Sequence, residues 1–259
     1  MHVSQLYIYP LKSARGIAVD KFELGSRGPM FDRQWMVVNS QGKFVTQRQF
    51  PRMCLIETRI HAGDLTLSAP QMPAILVGSS SRQYDVIVWK DTVPAQDCGD
   101  DVAQWLSSYL GASVRLVEMP SSSQRLVDSD YASAGEMVGF ADGFPLLLAS
   151  QALLDDFNTK LEDPIGMERF RPNIVIEGSL AYAEDEWQEL SIGSIALSIV
   201  KPCSRCIIPS IDQSTAQKQM SVNDALLAHR SRNRKTYFGQ NALHRNTGII
   251  SVGDSLSVL

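Results

Sequence analysis

Cysteine and histidine are scarce in this chain, four of each in 259 residues. Cys54 and Cys98 stand alone, Cys203 and Cys206 form one C-x-x-C pair, and His2, His61, His229 and His244 are scattered. A closed structural zinc site takes four N or S ligands, usually from two such pairs, so no zinc knuckle is expected. Four cysteines without framework spacing also argue against a disulfide scaffold and for a reducing compartment. No apolar run approaches the roughly 20 residues that cross a bilayer. Met1-His2-Val3-Ser4-Gln5 lacks the charged-then-apolar pattern of a secretory signal. A cytoplasmic location without membrane contact is therefore the expectation. Basic residues are outnumbered, 24 against 28, giving a net charge of −4 and no general attraction to nucleic acid. Phosphate-loop and dinucleotide fingerprints are missing, since Gly25-Ser26-Arg27-Gly28 has neither spacing. Nor is there a G-x-S-x-G elbow to anchor an esterase, or a C-x₄-C-x₂-C run to hold an iron–sulfur cluster.

What is present reads as short strands. With 44% hydrophobic residues the chain can build one large all-β domain or two smaller ones. Strands are expected at Leu6-Tyr7-Ile8-Tyr9, at 17–24 and at 84–89, with hairpins over 35–46 and 54–68. Further strands are expected at 173–177 and 195–200, with a last hairpin over 247–259. Many short strands joined by turns predict a mainly β fold, barrel or sandwich, with a few short helices. The first helix follows Gly99-Asp100-Asp101, carries Val102, Trp105, Leu106, Tyr109 and Leu110 on one face, and ends at Gly111. Ser150 is placed to cap a second, with Leu153, Leu154, Phe157 and Leu161. Ser221 and Asp224 resemble a capping box for a third. Pro120-Ser121-Ser122-Ser123-Gln124 is the best linker, dividing the chain into 1–120 and 121–259.

The chemistry concentrates in Lys201-Pro202-Cys203-Ser204-Arg205-Cys206. Thiols beside a cation at a strand-to-loop junction suit a soft metal or a redox reaction. Three basic clusters also adjoin turns: Pro10-Leu11-Lys12-Ser13, Asp32-Arg33-Gln34 and Arg169-Phe170-Arg171-Pro172-Asn173. Each alone reads as a solvated loop. Together they offer cations for a phosphate and hydroxyl or amide groups for neutral polar edges. The run His229-Arg230-Ser231-Arg232-Asn233-Arg234-Lys235 reads first as a solvated loop and second as a docking surface for an acidic partner.

In this order and spacing the motifs resemble the MOSC family, of the amidoxime-reducing-component type. The resemblance runs through Tyr9-Pro10-Leu11-Lys12-Ser13, Asp32-Arg33-Gln34-Trp35, Val45-Thr46-Gln47-Arg48-Gln49 and Asp97-Cys98-Gly99-Asp100. It continues through Phe170-Arg171-Pro172-Asn173, Tyr182-Ala183-Glu184-Asp185, Cys203-Ser204-Arg205-Cys206 and Val252-Gly253-Asp254. It implies an N-terminal MOSC-associated β-barrel domain, here 1–120, ahead of a MOSC β-barrel, here 121–259. It implies a molybdenum cofactor (molybdenum–molybdopterin), with Cys206 as the metal ligand and catalytic residue. Lys12, Ser13, Arg33, Arg171, Asn173, Ser204 and Arg205 fall at cofactor-holding positions, with Asp142 and Ser150 as weaker matches. Gly143 and Phe144 depart from the hydroxyl residues of relatives. Cys203 reads as a buried thiol.

The activity implied is reductive removal of oxygen from N-hydroxylated compounds: amidoximes, N-hydroxylated bases and hydroxylamines. Two electrons and two protons release the oxygen as water. Some relatives carry a fused ferredoxin domain, which this sequence lacks, so a separate flavoprotein, ferredoxin or haem protein is expected to supply electrons. Asp212 and Arg205 are candidates for the proton source by proximity alone. Two other readings compete: a cofactor carrier or sulfur-handling module without turnover, and a C-x-x-C thiol-redox protein. The second is disfavoured because Pro202 precedes the pair and no βαβ pattern surrounds it.

Overall fold

Alternating apolar and polar residues pair into nineteen strands in the computed structural model, which describes residues 1–259. The mainly β expectation holds, with three α-helices among the strands. The largest sheet has nine strands and is open at both ends, from Leu256–Val258 at one edge to Ile17–Val19 at the other. Its first member, His2–Ile8, runs antiparallel to Ile174–Glu177, so the N-terminal strand lies in the sheet built mostly by the second half of the chain. A four-stranded sheet of Trp35–Asn39, Val114–Glu118, Asp91–Asp97 and Gln83–Val88 forms the centre of the first half. No helix is long and apolar enough to cross a membrane.

Two large cores form, the first of them shared by both halves of the chain. Leu6, Leu148, Ile174, Ile176, Leu190 and Leu197 pack under the nine-stranded sheet. Trp35, Val37, Leu116 and the inner face of the helix Asp100–Leu110 (Val102, Trp105, Leu106, Tyr109) pack under the other. Burying a Leu or Ile side chain contributes roughly 1.5–3 kcal/mol, so these clusters outweigh any single surface contact. The helix ends as expected at Gly111, whose left-handed backbone (φ 68°) closes the last turn.

Several local expectations change. Trp35–Asn39 pairs with Val114–Glu118, not with 44–46, which make only one bridge, Val38 to Phe44. The last hairpin does not form: Gly248–Ser251 joins Lys21–Gly25, while Leu256–Val258 joins Glu189–Ile192. Asp254 accepts a bond from the Ser251 amide and folds the intervening turn back, sending the two strands to different sheets. The third helix, Met220–His229, begins after Gln219 without a side-chain cap, which leaves Ser221 inside its first turn. The strand expected at 195–200 extends to Arg205 and carries the thiol motif on its end, with irregularities at 199–201 and 202–204. Pro202 sits at the second of these, where a missing N–H does least harm. One parallel unit is present, Leu146–Ser150 and Ile174–Glu177 connected through the helix Gln151–Asn158.

Candidate functional site

An open cleft lies where the ends of these elements meet. Lys12 and Ser13 come from the turn after His2–Ile8, and Arg33 from the turn before Trp35–Asn39. Asp142 and Phe144 come from the approach to Leu146–Ser150, and Arg171 and Asn173 from the approach to Ile174–Glu177. Cys203, Ser204, Arg205 and Cys206 close it from the end of Ile195–Arg205. Nine of the ten residues expected at the site share this one cleft.

Ser150 does not. It is fully buried at the start of the helix Gln151–Asn158, where its hydroxyl accepts the Leu153 amide at 3.0 Å and donates to Glu184 Oε1 at 2.9 Å. Its role is the helix cap that its position before Leu153 and Leu154 also predicted. Asp212 is likewise elsewhere. Its carboxylate pairs with Arg169 at 2.9 Å and accepts the Ser214 and Thr215 amides at 2.8 Å each, so it folds a turn and is not placed to donate protons in the cleft. Despite its partial burial, the Ser214 and Thr215 bonds hold its pKa down at about 2. Cys203 is half-exposed rather than buried and accepts a bond from Arg205 Nη1 at 3.0 Å. Cys206 is exposed in the cleft.

Strained backbone aims the cationic wall. Ser13, Arg33 and Arg171 all adopt left-handed φ values, 69°, 46° and 58°. Non-glycine residues hold such angles only where surrounding contacts over-determine them. Those contacts are specific. The Tyr9 ring lies between the two guanidinium groups, 4.1 Å from Arg33 and 4.3 Å from Arg171. Arg33 Nη1 donates to both Asp32 oxygens at 2.8 and 2.6 Å, and Arg171 Nη1 donates to the Ala14 carbonyl at 2.6 Å. Asn173 is committed inward: its Oδ1 accepts from the Leu147 amide at 3.2 Å and from Arg33 at 3.3 Å, and its Nδ2 donates to the Tyr7 carbonyl. It braces the wall instead of offering free groups. Phe170 is stacked on Phe238 in the core beneath, which fixes the neighbouring Arg171.

The electrostatics are one-sided. Lys12, Arg33, Arg48, Arg171 and Arg205 line the cleft with a single carboxylate, Asp142. Burial lowers the Lys12 pKa, against the opposing pull of Asp142 at 2.5 Å. Desolvation in the cleft would raise Asp142, but Lys12, Arg48 and the Trp89 indole hold it well below the usual carboxylate range. Burial, with Arg33 beside it, lowers Arg171 to about 10. Three buried guanidinium nitrogens, Arg48 Nε, Arg171 Nη2 and Arg205 Nε, have no partner within the protein. Leaving a buried donor unpaired costs about 1–3 kcal/mol, and more in a charged group, so the arrangement suits an anion with several acceptor oxygens. An exposed thiol beside that anion site is the donor set for a phosphate-bearing group whose metal accepts sulfur ligands.

Thr46, Arg48 and Asn241 also line the cleft, and Trp89 reaches its edge through a 3.2 Å bond to Asp142. Sequence reasoning gave them no role. Thr46 and Arg48 were visible only as part of the motif Val45 to Gln49. Nothing local marks Trp89, at the tip of a hairpin, as a neighbour of residue 142.

Comparison with known proteins gives the family. Residues 1–113 match the MOSC N-terminal beta barrel domain, and residues 136–257 match the MOSC domain. Human mitochondrial amidoxime-reducing component 1 is 35% identical over 280 residues, covering 99% of this chain and 82% of that protein. Rat mitochondrial amidoxime reducing component 2 is 37% identical over 82% of this chain and 67% of its own length. Human molybdenum cofactor sulfurase is 32% identical over 96% of this chain, which spans 30% of that larger protein. With both domain matches in order and such identity over nearly its whole length, this chain belongs to the MOSC family.

Proposed function

We propose that the chain is a molybdenum-cofactor-dependent reductase of N-hydroxylated compounds, with amidoximes, N-hydroxylated bases and hydroxylamines as substrates. The observation that carries this reading is that three arginines with unpartnered guanidinium nitrogens line the same cleft as the exposed thiol of Cys206. The cofactor, when bound, supplies two-electron redox chemistry and an open metal position. Cys206 would be its protein ligand. Arg48, Arg171 and Arg205 would pair its phosphate, and Lys12 would add positive charge to the same cleft. Asp32 and Tyr9 keep Arg33 and Arg171 in their forked orientation. The net reaction converts N–OH, two electrons and two protons into N–H and water. Similarity to proteins named as amidoxime-reducing components supports the substrate class. The four free thiols support a cytoplasmic location.

A second reading, a cofactor carrier or sulfur-handling protein, is favoured by the identity to molybdenum cofactor sulfurase. Reduction of benzamidoxime to benzamidine by the molybdenum-loaded protein, with a chemical electron donor, decides between them. Turnover supports the reductase; a loaded protein that never turns over supports the carrier.

Electrons would come from a separate protein, and the basic hairpin is the docking surface in this proposal. Asn233 and Arg234 form its two-residue turn, both with positive φ, as hairpin twist requires. Arg230 is tied to Asp185, whereas Arg232, Arg234 and Lys235 are exposed without an acidic partner. The tip stands beside the thiol loop, because Arg205 pairs with Thr236 and Ser204 with Tyr237. Reversing Arg232, Arg234 and Lys235 to glutamate should slow reduction by an acidic donor protein roughly tenfold or more at low salt. Turnover with a chemical donor and molybdenum content should stay the same. Donor kinetics identical to wild type would remove the hairpin from the docking surface.

A further inference from the structure

Two exposed aromatic groups flank the mouth of the cleft from opposite halves of the chain. Trp89 is 44% exposed at a hairpin tip, held by its bond to Asp142, by Phe44 at 5.1 Å and by the Arg48 guanidinium at 4.8 Å. Its backbone is left-handed (φ 56°), which fits a tip built to present this residue. Two residues beyond Asp142, Phe144 also lines the cleft, and Tyr131, 38% exposed, meets it edge-on at 5.7 Å. Lys201 Nζ lies 4.0 Å from the Tyr131 ring and 5.0 Å from the Phe144 ring, steadying the pair.

Large aromatic surface left open beside a charged interior is unusual unless something covers it. The other three tryptophans, Trp35, Trp105 and Trp187, are all more than nine-tenths buried. Resting on the reductase reading above, we propose that Trp89 and the Tyr131–Phe144 pair form a substrate vestibule that selects N-hydroxylated compounds carrying a flat aromatic ring. The N–O end enters toward Cys206, which shares the cleft with Phe144. The ring remains at the mouth, against the two aromatic walls. Stacked and edge-on ring contacts are short-range and do not assist a small aliphatic substrate, so the walls act on specificity and not on the chemical step.

The test compares benzamidoxime with acetamidoxime on molybdenum-loaded wild type, Trp89→Leu and Tyr131→Ala. Each variant should lose about three- to tenfold in kcat/KM on benzamidoxime relative to acetamidoxime, carried by KM; for Tyr131→Ala, acetamidoxime itself should change less than about twofold. Equal losses on both substrates, or none on either, would overturn the vestibule. A second measurement does not depend on turnover. Benzamide, a neutral ring compound without an N–O bond, should shift the fluorescence of wild type and of Tyr131→Ala but not of Trp89→Leu. A benzamide shift without amidoxime turnover would keep the vestibule and remove the reductase. Turnover with no benzamide shift in wild type would keep the reductase and remove the vestibule.

Discussion

Replacing Cys206 with serine should lower benzamidoxime turnover by at least roughly a hundredfold. Loss of a residue that merely orients a metal ligand typically costs about 10–100-fold, and loss of the ligand itself sets a floor at the upper end. Serine keeps the size but offers a harder, more weakly ionised donor than a thiolate. The effect must appear in activity and metal content, not in stability, because Cys206 is exposed and takes no part in the core. An exposed substitution of this kind changes stability by about 0.5 kcal/mol or less. Cys203→Ala separates this account from a dithiol mechanism. Cys203 is half-exposed and accepts one bond from Arg205, so its loss should leave metal bound and most activity intact. A thiol-redox protein would lose everything in either variant. Equal, complete loss in both would therefore contradict the metal assignment.

The second large effect lies away from the cleft. Asp97→Ala should destabilise the fold by about 3 kcal/mol, or roughly 10 °C in Tm. Asp97 is fully buried at the end of Asp91–Asp97, yet it carries a charge. Arg115 holds both its oxygens at 2.8 Å, Arg82 lies at 3.1 Å, and Ser80 and the Gly99 amide complete its shell. Removing it deletes these bonds at the junction of the four-stranded sheet with the helix Asp100–Leu110. The cost stays at the low end for a buried ion pair because Arg82 and Arg115 both retain Asp100. Burial would raise the Asp97 carboxyl, but Arg115 and Ser80 more than offset it and its pKa lies below the ordinary value. A depressed pKa contributes stability above the unfolded value, near pH 4, and loses it as pH falls through the folded value. The gap between wild type and variant should thus be full at pH 7 and narrow below about pH 4 in urea titrations. A constant gap across that range would mean that Asp97 acts through packing alone.

Asp97 also shows what sequence motifs blur. Asp97-Cys98-Gly99-Asp100 carried the family resemblance as clearly as Cys203-Ser204-Arg205-Cys206 did, yet the first is structural and the second lines the cleft. Residue types at turns were enough to gather Lys12, Arg33, Arg171 and Cys206 before any fold was known. They were not enough to divide the work among them. Asn173 reads as a hydrogen-bonding group for a ligand but spends its amide on Tyr7, Leu147 and Arg33. The left-handed backbones of Ser13, Arg33 and Arg171 have no local signal, since none of these residues favours such angles. They arise from contacts such as Tyr9 with both arginines, which bring Arg33 to Arg171 across 138 positions of sequence. The third helix forms without the capping box its sequence suggests, whereas the first and second helices and most strands followed from apolar spacing. The last two strands did not, because a turn at Val252-Gly253-Asp254 looks the same whether the chain pairs with itself or with two other sheets. Ser150 fits both a cap and a ligand by sequence, and its full burial makes it the cap.

The most direct test is metal analysis of the protein expressed in a molybdate-fed host with an intact cofactor pathway, wild type beside Cys206→Ala. Near-stoichiometric molybdenum in wild type, falling sharply in the variant while the fold is retained, is the predicted result. A wild type without molybdenum, from a host that loads a control molybdoenzyme, or a variant that keeps its full metal content, would contradict it.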